Sequence, residues 1–284
     1  MASKYIVITG ISSGIGKYLA HLLIDHGFQV IGTHRDPDAL QVDFFSEFGS
    51  IPLYMDMANE ESIVQAAIRI QEITGNEGLY GLINNAGLAI PGPLAEVPIE
   101  KFKYQFQVNV FGNLLLIQKL IPLLQLQGGG SRILNIGSVS GLFASPFLGS
   151  YAASKFALEG LSDSLRRELQ LIGIRVILIE PGPIRTSIWK KNLDVAEDYK
   201  DGSFQQYLEK ATEVILQMEK NAMPLEVLNK PILHALLSTK PKARYLIHKN
   251  KFLFLLLAKI LPDKWADYLV YKNLKSNNNK LRPV

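Results

Sequence analysis

The sequence predicts an α/β fold in which helices cover both faces of a doubly wound, mainly seven-stranded parallel sheet. Short apolar, β-branched runs alternate with helical patterns of ten or more residues along the chain, and this alternation is typical of βαβ units. Right-handed crossovers then favour the doubly wound topology. The 284 residues are 48% hydrophobic and 20% charged, which supports a sizeable core and excludes disordered and collagen-like chains.

The first third of the chain supplies four of the predicted strands. A buried strand at 5–8 is followed by a helix at 14–26, and Gly27 provides the C-terminal stop of that helix. Apolar residues at three- and four-residue steps predict another helix at 59–74. The other strands of this part are predicted at 28–33, 51–55 and 79–83.

The rest of the chain continues the same pattern. Further strands are predicted at 132–136, 174–179 and 243–248. Long helices are predicted after Pro98, from Ser150 and at 204–220. No solenoid-period repeat and no Gly/Ser linker interrupts the sequence. We therefore expect one domain over 1–248, with a substrate loop at about 187–224, and a helical C-terminal extension at 249–284.

Basic charge is concentrated in the C-terminal extension. The formal net charge is +4, from 30 Lys and Arg against 26 Asp and Glu. Residues 249–284 hold eight of the basic and two of the acidic residues. The body of the chain is therefore slightly acidic, and no nucleic-acid partner is expected. The apolar run at 252–261 is too short to span a bilayer.

Cysteine is absent, which excludes disulfides, thiolate metal sites and a cysteine nucleophile and favours a reducing compartment. The five histidines are scattered without paired spacing, so no metal site is expected. A strand-like run directly follows Lys4 and leaves no room for a signal peptide. A cytoplasmic location is therefore expected.

A glycine-rich turn joins the first predicted strand to the first helix. Glycines here let the backbone approach a pyrophosphate, which the N–H groups and the positive end of the helix stabilise. The spacing GxxxGxG matches neither GxGxxG nor the phosphate loop, so an ordinary strand–helix turn is the alternative to a Rossmann-type nucleotide site. The candidate cofactor residues in this turn are Gly10, Ser12, Ser13, Gly14, Ile15 and Gly16.

The end of the second strand indicates which nicotinamide cofactor is bound. In dinucleotide sites an acid at this point holds the ribose 2′-hydroxyl, whereas an arginine accommodates the 2′-phosphate of NADP. Here His34 and Arg35 occupy the deciding positions, and Arg35 offers a planar fork for a phosphate. The alternative is a surface arginine paired with Asp36 or Asp38. NADP(H) is therefore favoured over NAD(H).

Ser138, Tyr151 and Lys155 are the candidate catalytic residues. Tyr151 and Lys155 are four residues apart near the start of a predicted helix, so both side chains lie on one face. A lysine ammonium near a phenol favours the phenolate, which lowers the tyrosine pKa and makes it a general acid or base. Ser138 ends a strand, where a doubly wound sheet places its ligands. A helix-surface Tyr/Lys pair and a turn serine are the alternatives.

Together with the glycine turn, these residues resemble the short-chain dehydrogenase/reductase family over about 4–248. Order and spacing fit throughout, including the 13 positions from Ser138 to Tyr151. The other matching pieces are Asp56, Asn84-Asn85-Ala86-Gly87, Asn109 and Pro181-Gly182 followed by Thr186.

The resemblance implies a role for each matching residue. Tyr151 would exchange a proton with the substrate oxygen, which Ser138 would orient. Lys155 would lower the Tyr151 pKa and hold the nicotinamide ribose, and Asn109 would hold a water that links Lys155 to solvent. The further implied cofactor contacts are Asp56 at the adenine, Asn85, Ala86 and Gly87 at the adenosine ribose, and Ile184 and Thr186 at the nicotinamide carboxamide, with Pro181 and Gly182 on the same segment.

The expected substrate is a small hydrophobic alcohol or carbonyl compound. In the family, an insert such as 187–224 closes over the substrate. Glu180-Pro181-Gly182 and the extended C-terminus resemble the hydroxysteroid and retinol dehydrogenase branch. The candidates for an apolar wall, with ordinary core or interface packing as the alternative, are Phe143, Phe147, Leu148 and Trp189.

The C-terminal extension has two interpretations. Trp265, Tyr268 and Leu269 fall on one helical face, with Lys264 and Lys272 nearby. The extension is either a helical cap on the substrate loop or a partner subunit, or a basic, aromatic surface that lies on an anionic membrane. The second interpretation would make the protein membrane-associated.

The helix from Ser150 carries small residues at three- and four-residue spacing, and the resemblance implies a homodimer or homotetramer through this helix. The predicted function is that of an NADP(H)-dependent oxidoreductase that interconverts an alcohol and a ketone or aldehyde. The alternative is a non-catalytic NADP-binding regulatory or membrane-docking protein. Such a protein has no need of the full set Asn109, Ser138, Tyr151 and Lys155.

Overall fold

The computed structural model describes residues 4–36, 49–128, 130–186 and 195–274. Its strands are β1 (Tyr5–Thr9), β2 (Gln29–His34), β3 (Ile51–Tyr54), β4 (Gly81–Asn84), β5 (Arg132–Ile136), β6 (Arg175–Pro181) and β7 (Arg244–Ile247). They form one sheet in the order β3-β2-β1-β4-β5-β6-β7, and every neighbouring pair is parallel. The strand order reverses at β1 and β4, which is where doubly wound sheets bind their ligands.

The helices are α1 (Gly14–Asp25), α2 (Glu60–Thr74), α3 (Ile99–Phe106), α4 (Gly112–Gln125), α5 (Gly149–Leu169), α6 (Val195–Asp198), α7 (Gln205–Lys220), α8 (Asn229–Leu237), α9 (Lys251–Leu255) and α10 (Asp263–Leu274). A π turn, Gln107–Phe111, makes α3 and α4 one continuous helix, and a second π turn, Leu256–Ile260, extends α9.

Two apolar cores lie on opposite faces of the sheet, because successive side chains of a strand point to opposite sides. Ile6 and Ile8 of β1 pack with α1 and α8, whereas Val7 packs with α2, α4 and α5. All three side chains are fully buried. The prediction of a doubly wound parallel sheet covered on both faces is therefore confirmed.

Some element boundaries differ from the predicted ones for local hydrogen-bonding reasons. β4 begins at Gly81 rather than at 79, because the Leu79 N–H donates to Leu123 O (2.9 Å) at the end of α4. β6 extends to Pro181, because the Gly182 N–H donates to Ile247 O (2.8 Å) and continues the ladder with β7.

The helix Ile99–Gln125 is long and apolar enough to cross a membrane by length and composition, with a mean hydropathy of 1.3 over its most apolar window. More than half of that window is buried inside the fold, where Leu116 and Leu120 belong to the core on the Val7 face. The helix packs against α2 and β4, so its apolar side is accounted for by the core.

The C-terminal extension is helical over 251–274. Within it, α10 contacts α7 and buries Ala266. Phe252, Ile260 and Trp265 are 82%, 71% and 66% exposed. The extension therefore covers part of the 187–224 segment and at the same time presents apolar side chains to solvent.

Candidate active site

The glycine-rich turn is shaped by close backbone contacts at the carboxyl end of β1. Gly10 has φ +72°, and a Cβ there would lie 3.1 Å from Ala86 Cα. A Cβ on Gly16 would overlap Gly10 O and the Asn85 side chain. The turn lies so close to the β4–α3 loop that only glycine fits these two positions.

Asn85 and Thr9 fasten this turn to the segment after β4. Asn85 Nδ2 donates to Thr9 O (2.8 Å) and Gly10 O (3.1 Å). Thr9 Oγ1 accepts from the N–H groups of Asn85 (2.9 Å) and Ala86 (2.8 Å). The Asn85 side chain is thus committed to shaping the turn, and Gly87 follows it on the exposed surface.

The start of α1 is suited to a pyrophosphate. Ser13 makes no side-chain cap hydrogen bond, and the first turn of α1 contains no acidic residue. An anion at the helix N-terminus is stabilised by the first N–H groups and by the helix dipole. Thr186 also lies here, since a Cβ on Gly14 would be 3.5 Å from Thr186 Cβ. These features fit a dinucleotide phosphate group.

The ends of β2 and β3 form the other side of the nucleotide region. His34 ends β2 as a buried residue, and burial lowers its pKa. Arg35 follows on the exposed surface. Asp56 follows β3, and its Oδ1 accepts from the Ala58 N–H (2.9 Å). Asp38 lies outside the described residues.

The structure brings Ser138, Tyr151 and Lys155 together at the carboxyl end of β5. Tyr151 and Lys155 are both 7% exposed, and Lys155 Nζ lies 5.7 Å from the centre of the Tyr151 ring. Lys155 Nζ donates to Ile136 O (2.8 Å). The Ser138 hydroxyl hydrogen-bonds the Tyr151 side chain and accepts from the Ser140 N–H (3.1 Å).

Burial sets the pKa values of this group. Burial raises the pKa of Tyr151, and the hydrogen bond with Ser138 opposes that shift. Burial also lowers the pKa of Lys155 to about 8, opposed by the nearby Glu159 carboxylate. The lowering of the Tyr151 pKa by Lys155 stays a prediction.

Asn109 lies in the π turn, and its side chain is fully used within the protein. Its Oδ1 accepts from the Leu88 N–H (3.0 Å), and its Nδ2 donates to Leu88 O (2.9 Å) and Ser154 Oγ (3.0 Å). Gln105 holds the same loop, accepting from the Ile90 N–H (2.7 Å). Sequence reasoning missed both the π turn and Gln105, because the apolar periodicity of the helix shows no break.

The described residues directly after β6 pair with Met223, which lies shortly before α8. Pro181 is the last residue of β6, and a Cβ on Gly182 would lie 2.7 Å from His248 Cδ2. Ile184 is buried and pairs with Met223. Residues 187–194, including Trp189, lie outside the described residues.

An aromatic contact joins the residues just before α5 to the start of α7. Phe147 has φ +61°, a conformation that a bulky residue rarely adopts, and its ring meets Phe204 edge-on with centres 6.1 Å apart. Leu148 is buried beside it and pairs with Gly92. Phe143 is partly exposed. Of the four predicted wall residues, Phe147 and Leu148 thus neighbour each other at the start of α5.

A parallel sheet with a pyrophosphate-compatible turn and a buried Ser–Tyr–Lys group at its carboxyl edge defines a nicotinamide-dependent oxidoreductase. The model of the short chain dehydrogenase family matches residues 4–196, and the chain belongs to that family. It is accordingly an oxidoreductase that acts on CH–OH and carbonyl groups of small substrates with a nicotinamide cofactor.

Several relatives cover the chain almost entirely. An NADPH-dependent 3-dehydrocapnine reductase of Ornithobacterium rhinotracheale is 36% identical over 281 residues, which are 96% of this chain and 98% of that protein. Short-chain dehydrogenase/reductase family 9C member 7 of Mus musculus is 32% identical over 96% of this chain and 91% of its own length. A short-chain dehydrogenase from Streptomyces avermitilis has a crystal structure that superposes with a TM-score of 0.76 at 25% identity, covering 96% of this chain and 97% of that one.

Proposed function

We propose that this protein is an NADP(H)-dependent oxidoreductase that interconverts a hydrophobic alcohol and its ketone or aldehyde, with Tyr151 as the general acid and base. The observation that carries the proposal is the buried Ser138–Tyr151–Lys155 group next to the glycine-rich turn. Such a group has no role in a protein that only binds a dinucleotide.

The three side chains divide the work of carbonyl reduction. When bound beside Tyr151 and Lys155, a reduced nicotinamide would supply the hydride that the carbonyl carbon accepts. The Tyr151 phenol donates its proton to the carbonyl oxygen, which the Ser138 hydroxyl holds by a hydrogen bond. The Lys155 ammonium stabilises the phenolate that results. With its pKa raised by burial, the Tyr151 phenol is protonated at neutral pH, which is the form that donates a proton.

Asn109 and the remaining cofactor contacts complete the proposal. The water held by Asn109 between Lys155 and solvent remains a prediction, because the Asn109 side chain bonds Leu88 and Ser154. Asp56, Asn85 and Thr186 border the nucleotide region and are proposed to contact the adenosine and the nicotinamide.

NADP(H) is the proposed cofactor for two reasons. Arg35 is exposed directly after β2 and can form two charge-assisted hydrogen bonds with a 2′-phosphate. A relative that aligns with nearly the whole chain is named as an NADPH-dependent reductase. A carboxylate at the last position of β2 would favour NAD(H), and His34 stands there instead.

The substrate is proposed to be hydrophobic because Phe147, beside the buried Leu148 just before α5, contacts Phe204 at the start of α7. The test is the absorbance of NADPH during incubation with a panel of aldehydes, ketones, steroids and retinoids. Consumption of NADPH with any of them supports the enzyme. No turnover with the whole panel, together with tight NADPH binding, would favour the non-catalytic alternative.

We propose a second property, association with an anionic membrane from the cytoplasmic side. Phe252, Ile260 and Trp265 are exposed among the lysines of the C-terminal extension, the composition of interfacial helices. Phe252→Ser/Trp265→Ser should reduce co-sedimentation with phosphatidylserine vesicles, whereas Leu171→Ser, an exposed apolar residue elsewhere, should not. Unchanged sedimentation of the double variant would reject this property.

A homodimer or homotetramer is proposed through α5 and the π turn. Phe111 and Phe156 are half-exposed there, and a Cβ on Gly160 would meet no atom within 4 Å. This leaves an apolar, closely approachable helix face for a second copy. A monomeric mass in sedimentation equilibrium would contradict the assembly.

A further inference from the structure

A buried acidic pair lies behind the catalytic lysine. Glu159 is one helical turn after Lys155 on α5, and Glu180 is the next-to-last residue of β6. Their side chains are 12% and 3% exposed. Two neighbouring carboxylates that are both buried repel each other unless a cation or a proton compensates their charge.

Arg244 on β7 is the cation that faces this pair. Its Nε lies 3.3 Å from Glu159 Oε2 and 3.5 Å from Glu180 Oε1, and its second guanidinium nitrogen lies 2.8 Å from Asp163 Oδ1. One arginine therefore faces three carboxyl groups. Lys251 and Lys259 of the C-terminal extension act on Glu180 as weaker, more distant charges.

A shared proton would balance the remaining charge. Glu159 Oε1 and Glu180 Oε1 are buried and accept no hydrogen bond from an amine, amide or hydroxyl group of the described residues, but the two carboxyl side chains lie within hydrogen-bond reach of each other. A proton on one carboxyl would give the other a donor. Burial, reinforced by Glu180, raises the pKa of Glu159 to about 7, and burial raises the pKa of Glu180. Glu159 therefore releases its proton near neutral pH.

Glu159 also contacts the loop that carries Ser138. A Cβ on Gly141 would lie 3.2 Å from Glu159 Oε1 and 3.0 Å from Lys155 O, and a Cβ on Gly137 would lie 3.6 Å from Glu159 Oε1. The carboxyl thus packs against the backbone on both sides of Ser138. Its charge favours the ammonium form of Lys155.

We propose that Glu159, held by Glu180 and Arg244, is a positioning residue that supports the Ser138 loop and keeps Lys155 charged. This inference rests on the proposed function of Ser138, Tyr151 and Lys155. As the pH rises through neutrality the pair loses its shared proton. The negative charge next to Lys155 therefore increases over the pH range in which Lys155 would otherwise lose its proton.

Two isosteric variants should have different effects on the pH profile of kcat/KM for NADPH-dependent reduction. Glu159→Gln removes the charge beside Lys155, so the alkaline limb should move to lower pH by about one unit. Glu180→Gln keeps the Glu159 carboxylate, which the wild type also has ionised on this limb, so the limb should move much less than in Glu159→Gln. Glu168→Gln, the same change at an exposed position of α5, should leave the profile unchanged.

A purely structural role would lower kcat in both Glu variants without a shift of the limb that is specific to Glu159→Gln. That result, or a wild-type profile in Glu159→Gln, would overturn the inference while the wild-type enzyme still turns over. Absence of wild-type turnover would instead overturn the proposed function and, with it, the positioning role.

Thermal unfolding tests the shared proton without turnover. A carboxyl whose pKa rises from 4.5 to about 7 on folding makes the folded protein bind more protons than the unfolded chain in that window. Wild-type stability should therefore fall as the pH rises through it. The Tm of Glu159→Gln minus that of wild type should increase from pH 5 to pH 8, and a constant difference would contradict the shared proton.

Discussion

The two ends of the site are built in different ways. The nucleotide end is a backbone structure, in which Gly10 and Gly16 permit close approach and α1 presents its N-terminus. The chemistry end consists of buried side chains, and Tyr151 and Lys155 take their pKa values from that burial. Changes at the first end should therefore alter which cofactor binds, and changes at the second should alter turnover.

The largest effect is expected at the chemistry end. Tyr151→Phe removes the proton donor, and general acid catalysis typically contributes 10²- to 10⁴-fold, so kcat should fall by roughly that factor. NADPH affinity, measured by fluorescence titration, should stay near the wild-type value. Tyr104→Phe, at an exposed tyrosine of α3, is the matched control. A Tyr151→Phe enzyme with near-normal kcat would remove Tyr151 from the mechanism.

A smaller and selective effect is expected at the nucleotide end. Arg35→Ala should weaken NADPH binding by roughly 10- to 100-fold, because hydrogen bonds to charged groups contribute about 1.5–3 kcal/mol. NADH binding should change little, since NADH lacks the 2′-phosphate. Arg69→Ala removes an exposed arginine that pairs with Glu72 on α2 and should affect neither cofactor. Equal losses for both cofactors would refute the 2′-phosphate contact.

The same division explains what the sequence could predict. The seven strands, the glycine turn and the Tyr151–Lys155 spacing depend on local sequence patterns, so each of them can be predicted from the sequence. The effect of burial on the Tyr151 pKa cannot be predicted from the sequence, because the residues that bury Tyr151 belong to elements that are distant in the chain. Glu159, Glu180 and Arg244 are likewise far apart in sequence and meet only after folding.

The smallest expected effect tests where Asn109 belongs in this comparison. Its Oδ1 accepts from the Leu88 N–H, whereas Leu88 O also accepts from Gln105, so Asn109→Ala should leave the Leu88 N–H without its acceptor at a cost of about 1–3 kcal/mol. Thermal unfolding should show a Tm lower by several degrees, while kcat per folded molecule should fall far less than in Tyr151→Phe. Gln118→Ala, at an exposed position of α4, should change neither quantity. If kcat instead falls as far as in Tyr151→Phe at unchanged Tm, the Asn109 side chain itself takes part in the proton relay. Asn109 would then act in catalysis together with Tyr151 and Lys155, and its main role would not be to hold the Leu88 loop.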